Sequence, residues 1–472
     1  MADAEQKTAN AQGIDAAEVV AKMRAGFAQG GTRSLEARLA ALKNLDDLVK
    51  DHEAELCDAM HKDLGKSNGE GWLTELALVR AAIRDLRERL PEFVKPDRAK
   101  VPLVQRPGRA TIERAPRGCC LVIAPWNYPV QLLLIPVATA LAAGNVVIAK
   151  PSELAPATSK LLAALCNGAF DDGVLQVLEG GAELTQALIA ASVDHIFFTG
   201  STSTGRAVLQ AAAGHLTPVT LELGGKSPGY VDRDADLGVA ARRIAFAKFL
   251  NAGQSCVAPD YVLAHREISE ALERELVGAI GSFFGERPES SADFGRIIND
   301  GHVTRLAGLL ESHGGRVVVG GEIDAKNRYV APTVISEPDT SSPLMQEEIF
   351  GPVLPVVRVD SASEAVRFIA SRPAPLAIYC FTSSKVTMHL IEAGTRSGSI
   401  SQNTAAEHFA LMGLPFGGVG ESGMGAYHGA SGLETFTHLR THFARGTTPE
   451  TTLAYPPLTP RKLALLRRAL RA

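Results

Sequence analysis

No stretch of this chain is apolar for long enough to cross a bilayer. The longest apolar region, from Gln131 to Ala149, is broken by Pro136, Gly144 and Asn145, so it reads as a helix followed by a strand. The first residues carry Asp3, Glu5 and Lys7 and no apolar run, unlike a secretory signal. There is little surplus charge of either sign. The formal net charge is −4, so nucleic acid is not expected as a partner. Cysteine is scarce: six residues, at 57, 119, 120, 166, 256 and 380, show no metal-ligand spacing, and the adjacent pair Cys119-Cys120 sits in an apolar strand. No metal is expected. Such sparse usage fits a reducing compartment, and a cytoplasmic location is expected.

What remains is a long chain of ordinary globular composition. With 472 residues, 46% hydrophobic and 21% charged, it is long enough for two sizeable lobes, each with its own core. Residues 1 to about 17 are small and polar and read as a loose arm. Ala17 to Pro91 has helical periodicity, with an apolar stripe at Leu35, Leu39, Leu42, Leu45 and Leu48. Val101 to Arg117 alternates apolar and charged residues, as an exposed antiparallel hairpin does. From Cys119 the pattern changes to strand, turn and helix. The strand-like runs are Cys119 to Ala124, Asn145 to Ala149, Val174 to Leu178, His195 to Thr199 and Val219 to Leu223. The alternation predicts a parallel sheet covered on both faces, with ligands beyond the C-terminal strand ends. Gly224 to Pro415 alternates again, with apolar runs at Tyr261 to Ala264, Val317 to Val319, Val353 to Val359 and Ala377 to Phe381, which predicts a second α/β lobe. Thr435 to Ala444 reads as a closing strand.

Chemistry gathers at a few turns. Cys256 follows Gly253, Gln254 and Ser255 and precedes Pro259, so it lies on a bend. It is either a small buried hydrophobe or a nucleophile with backbone N–H donors beside it. Glu222 ends an apolar strand just before Gly224-Gly225. It is either a desolvated general base for water or a partner of Lys226 or a turn cap. Asn127 sits at a strand-to-helix turn, as a plain turn residue or as an amide donor to a carbonyl oxygen. Lys150 closes a strand and Glu153 follows. A lysine there can hold ribose hydroxyls or a phosphate, and a glutamate favours a free 2′-hydroxyl over a 2′-phosphate. Thr199-Gly200-Ser201-Thr202-Ser203-Thr204-Gly205 opens a helix whose N-terminus can face a pyrophosphate, though it lacks the Gly-x-Gly-x-x-Gly spacing and alone is an ordinary capped helix start. Glu348 and Phe350 share one face of an extended segment, as a surface acid with a core aromatic or as a ligand-facing pair. Trp72 is large enough to line a substrate tunnel, and equally suits core packing. Leu463, Leu466 and Leu470 align on one face of a basic C-terminal helix. Such a helix can lie on an anionic membrane surface, cap a substrate entrance or dock on its own protein.

Pro125-Trp126-Asn127-Tyr128-Pro129, Lys150-Pro151-Ser152-Glu153, Phe198-Thr199-Gly200-Ser201, Glu222-Leu223-Gly224-Gly225-Lys226, Gly253-Gln254-Ser255-Cys256, Glu347-Glu348-Ile349-Phe350-Gly351-Pro352 and Pro415-Phe416-Gly417-Gly418 occur in this order. In order and spacing they resemble the aldehyde dehydrogenase superfamily, over about Asp63 to His438. Four further stretches, among them His215 to Glu222 and Gly423 to Gly429, are most similar to its class 3 and fatty aldehyde group. The resemblance implies a Rossmann-like NAD-binding domain (1–97 and 117–224), a second α/β catalytic domain (225–415), a small β bridging and oligomerisation arm (98–116 and 433–446) and a tail with the basic helix (447–472). It implies NAD as cofactor, with NADP possible, an aldehyde substrate and a homodimer joined through the arm. By that resemblance Cys256 is the nucleophile, Glu222 the base and Asn127 the oxyanion donor. Trp126, Lys150, Ser152, Glu153, Gly200, Ser201, Gly205, Leu223, Gly224, Glu348 and Phe350 bind the cofactor, and Trp72 and Tyr128 meet the substrate. The expected reaction is NAD(P)-dependent oxidation of medium- or long-chain aliphatic or aromatic aldehydes to acids. The alternatives are a phenolic or semialdehyde-specific dehydrogenase, an acyl-transferring enzyme using coenzyme A, or a non-catalytic NAD-binding protein on the same fold.

Overall fold

The computed structural model describes residues 13–450 and 452–470. Asp15 caps the first helix, Ala16–Gln29, by accepting from the N–H groups of Ala17 at 2.9 Å and Glu18 at 3.2 Å. The helix therefore begins inside the segment expected to be a loose arm, because a side-chain acceptor satisfies its first free donors. Residues 1–12 of that segment lie outside the described residues. The helix Leu35–Asp51 carries the leucine stripe. Leu42, Leu45 and Leu48 are buried, and Leu35 and Leu39 pack partly buried against the same core. The helix Glu53–Leu64, a π-helical turn at Trp72–Leu76 and the helix Ala77–Phe93 complete this region.

A six-stranded sheet runs, in spatial order, Gly423–Met424, Val219–Leu223, His195–Gly200, Cys119–Ile123, Val146–Lys150 and Leu175–Val177. The last five are parallel, and the first pairs antiparallel with Val219–Leu223. Those five match the apolar runs of the sequence to within a residue at each end. Their side chains alternate between two cores. Cys120, Val122, Val147 and Ala149 join one, and Cys119, Leu121, Val146 and Ile148 join the other. Both faces are thus covered, as a parallel sheet requires. The helix Gln131–Ala142 is buried along its whole length.

The second sheet has seven strands, in the order Arg316–Val319, Thr333–Ser336, Val353–Val359, Tyr261–His265, Pro228–Val231, Ala377–Phe381 and Ser399–Gln402. Only the edge strand Arg316–Val319 is antiparallel to its neighbour. The apolar pattern misses three of these strands, each four residues long. One opens with Pro228-Gly229, and Ser399–Gln402 has a single apolar residue, so neither shows a β-like run.

A third, antiparallel sheet joins Asp97–Ala99, Gly108–Pro116 and Thr437–Arg445. The expected hairpin over Val101–Arg117 is corrected here. Pro102 and Pro107 lack the N–H groups that ladder pairing needs, so the long strand starts at Gly108; its local partner is the short strand Asp97–Ala99, before the prolines, and its long partner is the distant closing strand. The C-terminal helix Pro460–Leu470 lies against residues 103–105 and buries none of its side chains. Among the described residues, no helix is long and apolar enough to cross a membrane.

Candidate active site

The C-terminal ends of the strands Cys119–Ile123, Val146–Lys150, His195–Gly200 and Val219–Leu223 open on one cavity of about 990 Å³, shared with loops of the second sheet. Asn127, Glu222 and Cys256 all line it. Three segments far apart in sequence thus converge where doubly wound folds bind ligands.

Cys256 is the only one of the six cysteines that is not buried. Burial of its surroundings, then the carboxyls of Glu348 and Glu222, push its thiol up to about 12. Tyr379 holds the loop by donating to the Val257 carbonyl at 2.5 Å. Glu222 is 3% exposed and neither carboxylate oxygen has a hydrogen-bond partner among the described residues. Desolvation alone raises it well above the ordinary carboxylate range. The pairing with Lys226 does not occur: Lys226 Nζ binds Asp260 Oδ2 at 2.6 Å and the Leu344 and Glu347 carbonyls, each at 2.7 Å. Asn127 is buried, and its Nδ2 donates to the Gln254 carbonyl at 3.0 Å. An amide nitrogen has two N–H donors, so one remains for a ligand.

The cofactor residues expected from the sequence lie on the same wall. Trp126, Lys150, Ser152, Glu153, Gly200, Ser201, Leu223, Gly224, Glu348 and Phe350 all line the cavity. Gly205 does not; it is buried in the first turn of the helix Thr202–Ala213, where an added Cβ would stand 2.6 Å from Leu223 Cδ2. Ser201 caps that helix by accepting from Thr204 N at 3.2 Å. Lys150 is buried and Nζ donates to Gly180 O at 2.6 Å and Glu153 Oε2 at 3.1 Å. Phe350 stands edge-on to Trp126 with ring centroids 5.3 Å apart. Glu348 is half-buried with Oε1 unpartnered, and burial, reinforced by Asp260, raises it to about 8.

Two cavity residues were invisible to motif reading. His302 packs its ring 5.1 Å from Trp126, and Arg305 Nη2 donates to Ile349 O at 2.7 Å. They stand three apart on the helix Asp300–Glu311, and that i, i+3 spacing was the one signal available. Trp72 and Tyr128 do not line this cavity. Trp72 is 45% exposed, with Nε1 donating to Glu53 Oε2 at 3.1 Å, and Tyr128 is buried beneath Lys66 Nζ at 4.0 Å from its ring centroid. Among the described residues there is no group of three or more His, Cys, Asp or Glu placed to hold a metal ion.

The residues present fit a nicotinamide dinucleotide. A helix N-terminus faces the cleft, the Thr199 hydroxyl is buried and unpartnered, and Glu348 leaves one carboxylate oxygen free. At Gly224 a Cβ would stand 2.1 Å from Glu348 Oε2, so the strand end stays bare. Two mostly parallel sheets meeting over a cleft with these residues suit a nicotinamide-dependent oxidoreductase.

Comparison with known proteins narrows that class. The model of the Aldehyde dehydrogenase family matches residues 3–442, and the chain belongs to that family. It is 43% identical to "Aldehyde dehydrogenase family 3 member B1" of Rattus norvegicus, covering 94% of this chain and 95% of the relative. It is equally similar, at 43% identity over 93% and 97% of the two chains, to "Aldehyde dehydrogenase, dimeric NADP-preferring" of Canis lupus familiaris. Among solved structures, a substrate-bound AldH of Staphylococcus aureus superposes with a TM-score of 0.93 at 39% identity, covering 96% of this chain and 99% of that one. The chain is thus an aldehyde-oxidising, NAD(P)-dependent enzyme of the class 3 type.

Proposed function

We propose that this enzyme oxidises aldehydes to carboxylates through a covalent bond to Cys256, with Asn127 as oxyanion donor and Glu222 as general base. The observation that carries the reading is the convergence of these three groups on the wall of the cofactor cavity. Held by residues of the cavity wall such as Trp126, Lys150, Glu348 and Phe350, the dinucleotide would supply the hydride acceptor. Cys256 Sγ, having given its proton to solvent water, adds as a thiolate to the aldehyde carbon. The Asn127 amide and the Cys256 backbone N–H hold the resulting oxyanion. As the carbon loses hydride, the carbonyl re-forms as a thioester on Cys256. Glu222 then takes a proton from water, hydroxide adds to the thioester carbon, the C–S bond breaks and the carboxylate departs. An unpartnered carboxyl raised by burial suits this step, because it holds a proton more strongly than an exposed carboxylate does.

Medium- or long-chain aliphatic or aromatic aldehydes are the proposed substrates. In support, Cys256 packs partly buried against the large apolar core of the first lobe. The Glu153 carboxylate, beside Lys150, supports a preference for NAD over NADP. The arm carries the proposed homodimer: Leu439 and Phe443 of its outer strand are 58% and 47% exposed, and such an edge invites pairing. A membrane contact of the C-terminal helix rests on its basic amphipathic pattern alone. A cytoplasmic location rests on the sparse cysteines.

The test is NADH formation at 340 nm, a property of the nicotinamide, over aldehydes from acetaldehyde to long-chain and aromatic ones, with and without coenzyme A. Cys256→Ala should abolish turnover while NAD still binds. Turnover surviving in that variant would remove the covalent route.

A further inference from the structure

The turn that carries Asn127 is gripped from outside the cavity. Its backbone carbonyl accepts from Lys66 Nζ at 2.9 Å and from Asn251 Nδ2 at 2.8 Å. Lys66 is fully buried and paired at 2.6 Å with Glu75, which is also fully buried. The other carboxylate oxygen of Glu75 accepts from Val130 N at 2.7 Å and Gln131 N at 3.2 Å. Those N–H groups open the buried helix Gln131–Ala142, which has no side-chain cap of its own. One ion pair therefore holds both ends of the turn: the ammonium takes the carbonyl of Asn127, and the carboxylate takes the first donors of the helix that follows. Lys66 Nζ also lies over the ring of Tyr128.

The same segment reaches the nucleophile loop. Glu70 accepts from Asn251 N at 2.7 Å. Asn251 Nδ2 and Asn127 Nδ2 both donate to the Gln254 carbonyl, at 3.1 and 3.0 Å, two residues before Cys256. Neither Lys66 nor Glu75 lines the cavity, so neither touches a reacting atom. Well-packed apolar residues would fill the same space without the desolvation that a buried ion pair must overcome. They could not bridge a carbonyl to two amides. We propose that the buried Lys66–Glu75 pair is a positioning device of the oxyanion site, fixing the Asn127 amide relative to Cys256. The proposal rests on the reading of Asn127 as oxyanion donor.

A double-mutant cycle on aldehyde turnover with hexanal, with NAD affinity measured in parallel, tests it. Asn127→Ala should lower kcat by about 100-fold or more, the loss typical of a missing oxyanion donor. Lys66→Met should lower kcat by about 10-fold with NAD affinity unchanged, and by less than about 2-fold when added to Asn127→Ala, because groups acting as a unit are not additive. A full loss repeated in the Asn127→Ala background would overturn the proposal, as would wild-type turnover by Lys66→Met. If Lys66→Met does not fold, Glu75→Gln, of the same shape, carries the same cycle, with about a 3-fold loss expected in the parent and none in Asn127→Ala. An Asn127→Ala enzyme as fast as the parent would instead remove the oxyanion reading itself, and the positioning role with it.

Discussion

Adding one methyl group at Gly224 should separate function from stability. Gly224 closes the strand Val219–Leu223 at the cavity wall, and its φ lies outside the left-handed region, so alanine meets no backbone obstacle. The obstacle is Glu348. An ideal Cβ would stand 2.1 Å from its Oε2 and 2.6 Å from its Oε1, whereas ordinary contact begins at 3.4 Å. The carboxylate must therefore retreat by about 1.3 Å, the difference between contact and overlap. It is the far end of a flexible side chain, so the retreat is cheap for the fold. Gly→Ala at a compatible position gains about 0.4–1 kcal/mol by restricting the unfolded chain. The melting temperature of Gly224→Ala should thus equal or slightly exceed that of the parent. Cofactor handling should suffer, because a misplacement of about 1 Å in a positioning group can cost about 100-fold in rate. The assay is kcat/KM for NAD at saturating aldehyde, beside a thermal melt. A variant within about 3-fold of the parent in kcat/KM would refute the role given to Glu348. A large fall in melting temperature would refute the claim that Glu348 yields.

Two further substitutions test the carboxylates. Glu222→Gln should slow thioester hydrolysis more than thioester formation, and should flatten the rise of hydrolysis with pH that a base of elevated pKa produces; an unchanged steady-state rate would sink the assignment. Its stability effect has the opposite pH sense. The folded parent keeps the Glu222 proton to higher pH than the unfolded chain does, so between the ordinary carboxylate value and the elevated one it loses up to about 1.4 kcal/mol per pH unit. The glutamine variant does not, and its melting advantage should widen as pH is raised from about 5 to 8; a constant difference would contradict the burial of an unpartnered carboxyl. Glu153→Gln should shift kcat/KM toward NADP over NAD by about 10-fold, as removal of a repelling charge beside a 2′-phosphate would, and an unmoved ratio would separate Glu153 from cofactor choice.

The strands of the first sheet were legible because each is an unbroken apolar run bounded by turn residues, as burial on both faces demands. Pro228–Val231 was not, although all four of its residues are buried: two of them are Pro and Gly, which carry no β signal. The motif-borne site residues were legible for a different reason, since the resemblance fixed their positions and the strand ends then gathered all but Gly205, Trp72 and Tyr128 on one cavity. The partners of those residues were illegible. Lys226 stands four residues after Glu222, which makes a local pair look natural. The strand ends there, and the lysine turns to Asp260 in the other lobe. Lys66 lies in the link after the helix Glu53–Leu64 and Glu75 in the π-helical turn Trp72–Leu76, in a region whose periodicity reports only its own packing. Nothing in that periodicity says that both reach the backbone of residues 127–131.

Backbone strain shows why these supports matter together. Asn251 and Ala252 have φ of 52° and 50°, Gly253 follows at 74°, and Phe350 stands at 45°. For Ala252 and Phe350, which gain nothing from this conformation, the cost is about 1–3 kcal/mol each. The two strained segments touch: a Cβ on Gly253 would stand 2.2 Å from Gly351 O. The loop leading to the nucleophile is therefore packed backbone to backbone against the loop carrying Glu348 and Phe350, with no room for a side chain between them. Each is also tied elsewhere, the first by Glu70 to Asn251 N and by Gln254 to Arg296 O and Ile298 N, the second by Arg305 and Asp260 to Ile349. Neither loop can relax its strain without displacing the other. The backbones that carry the thiol and the Glu348 side chain are thus held against each other by direct contact, a constraint that no pattern of side chains along the sequence expresses.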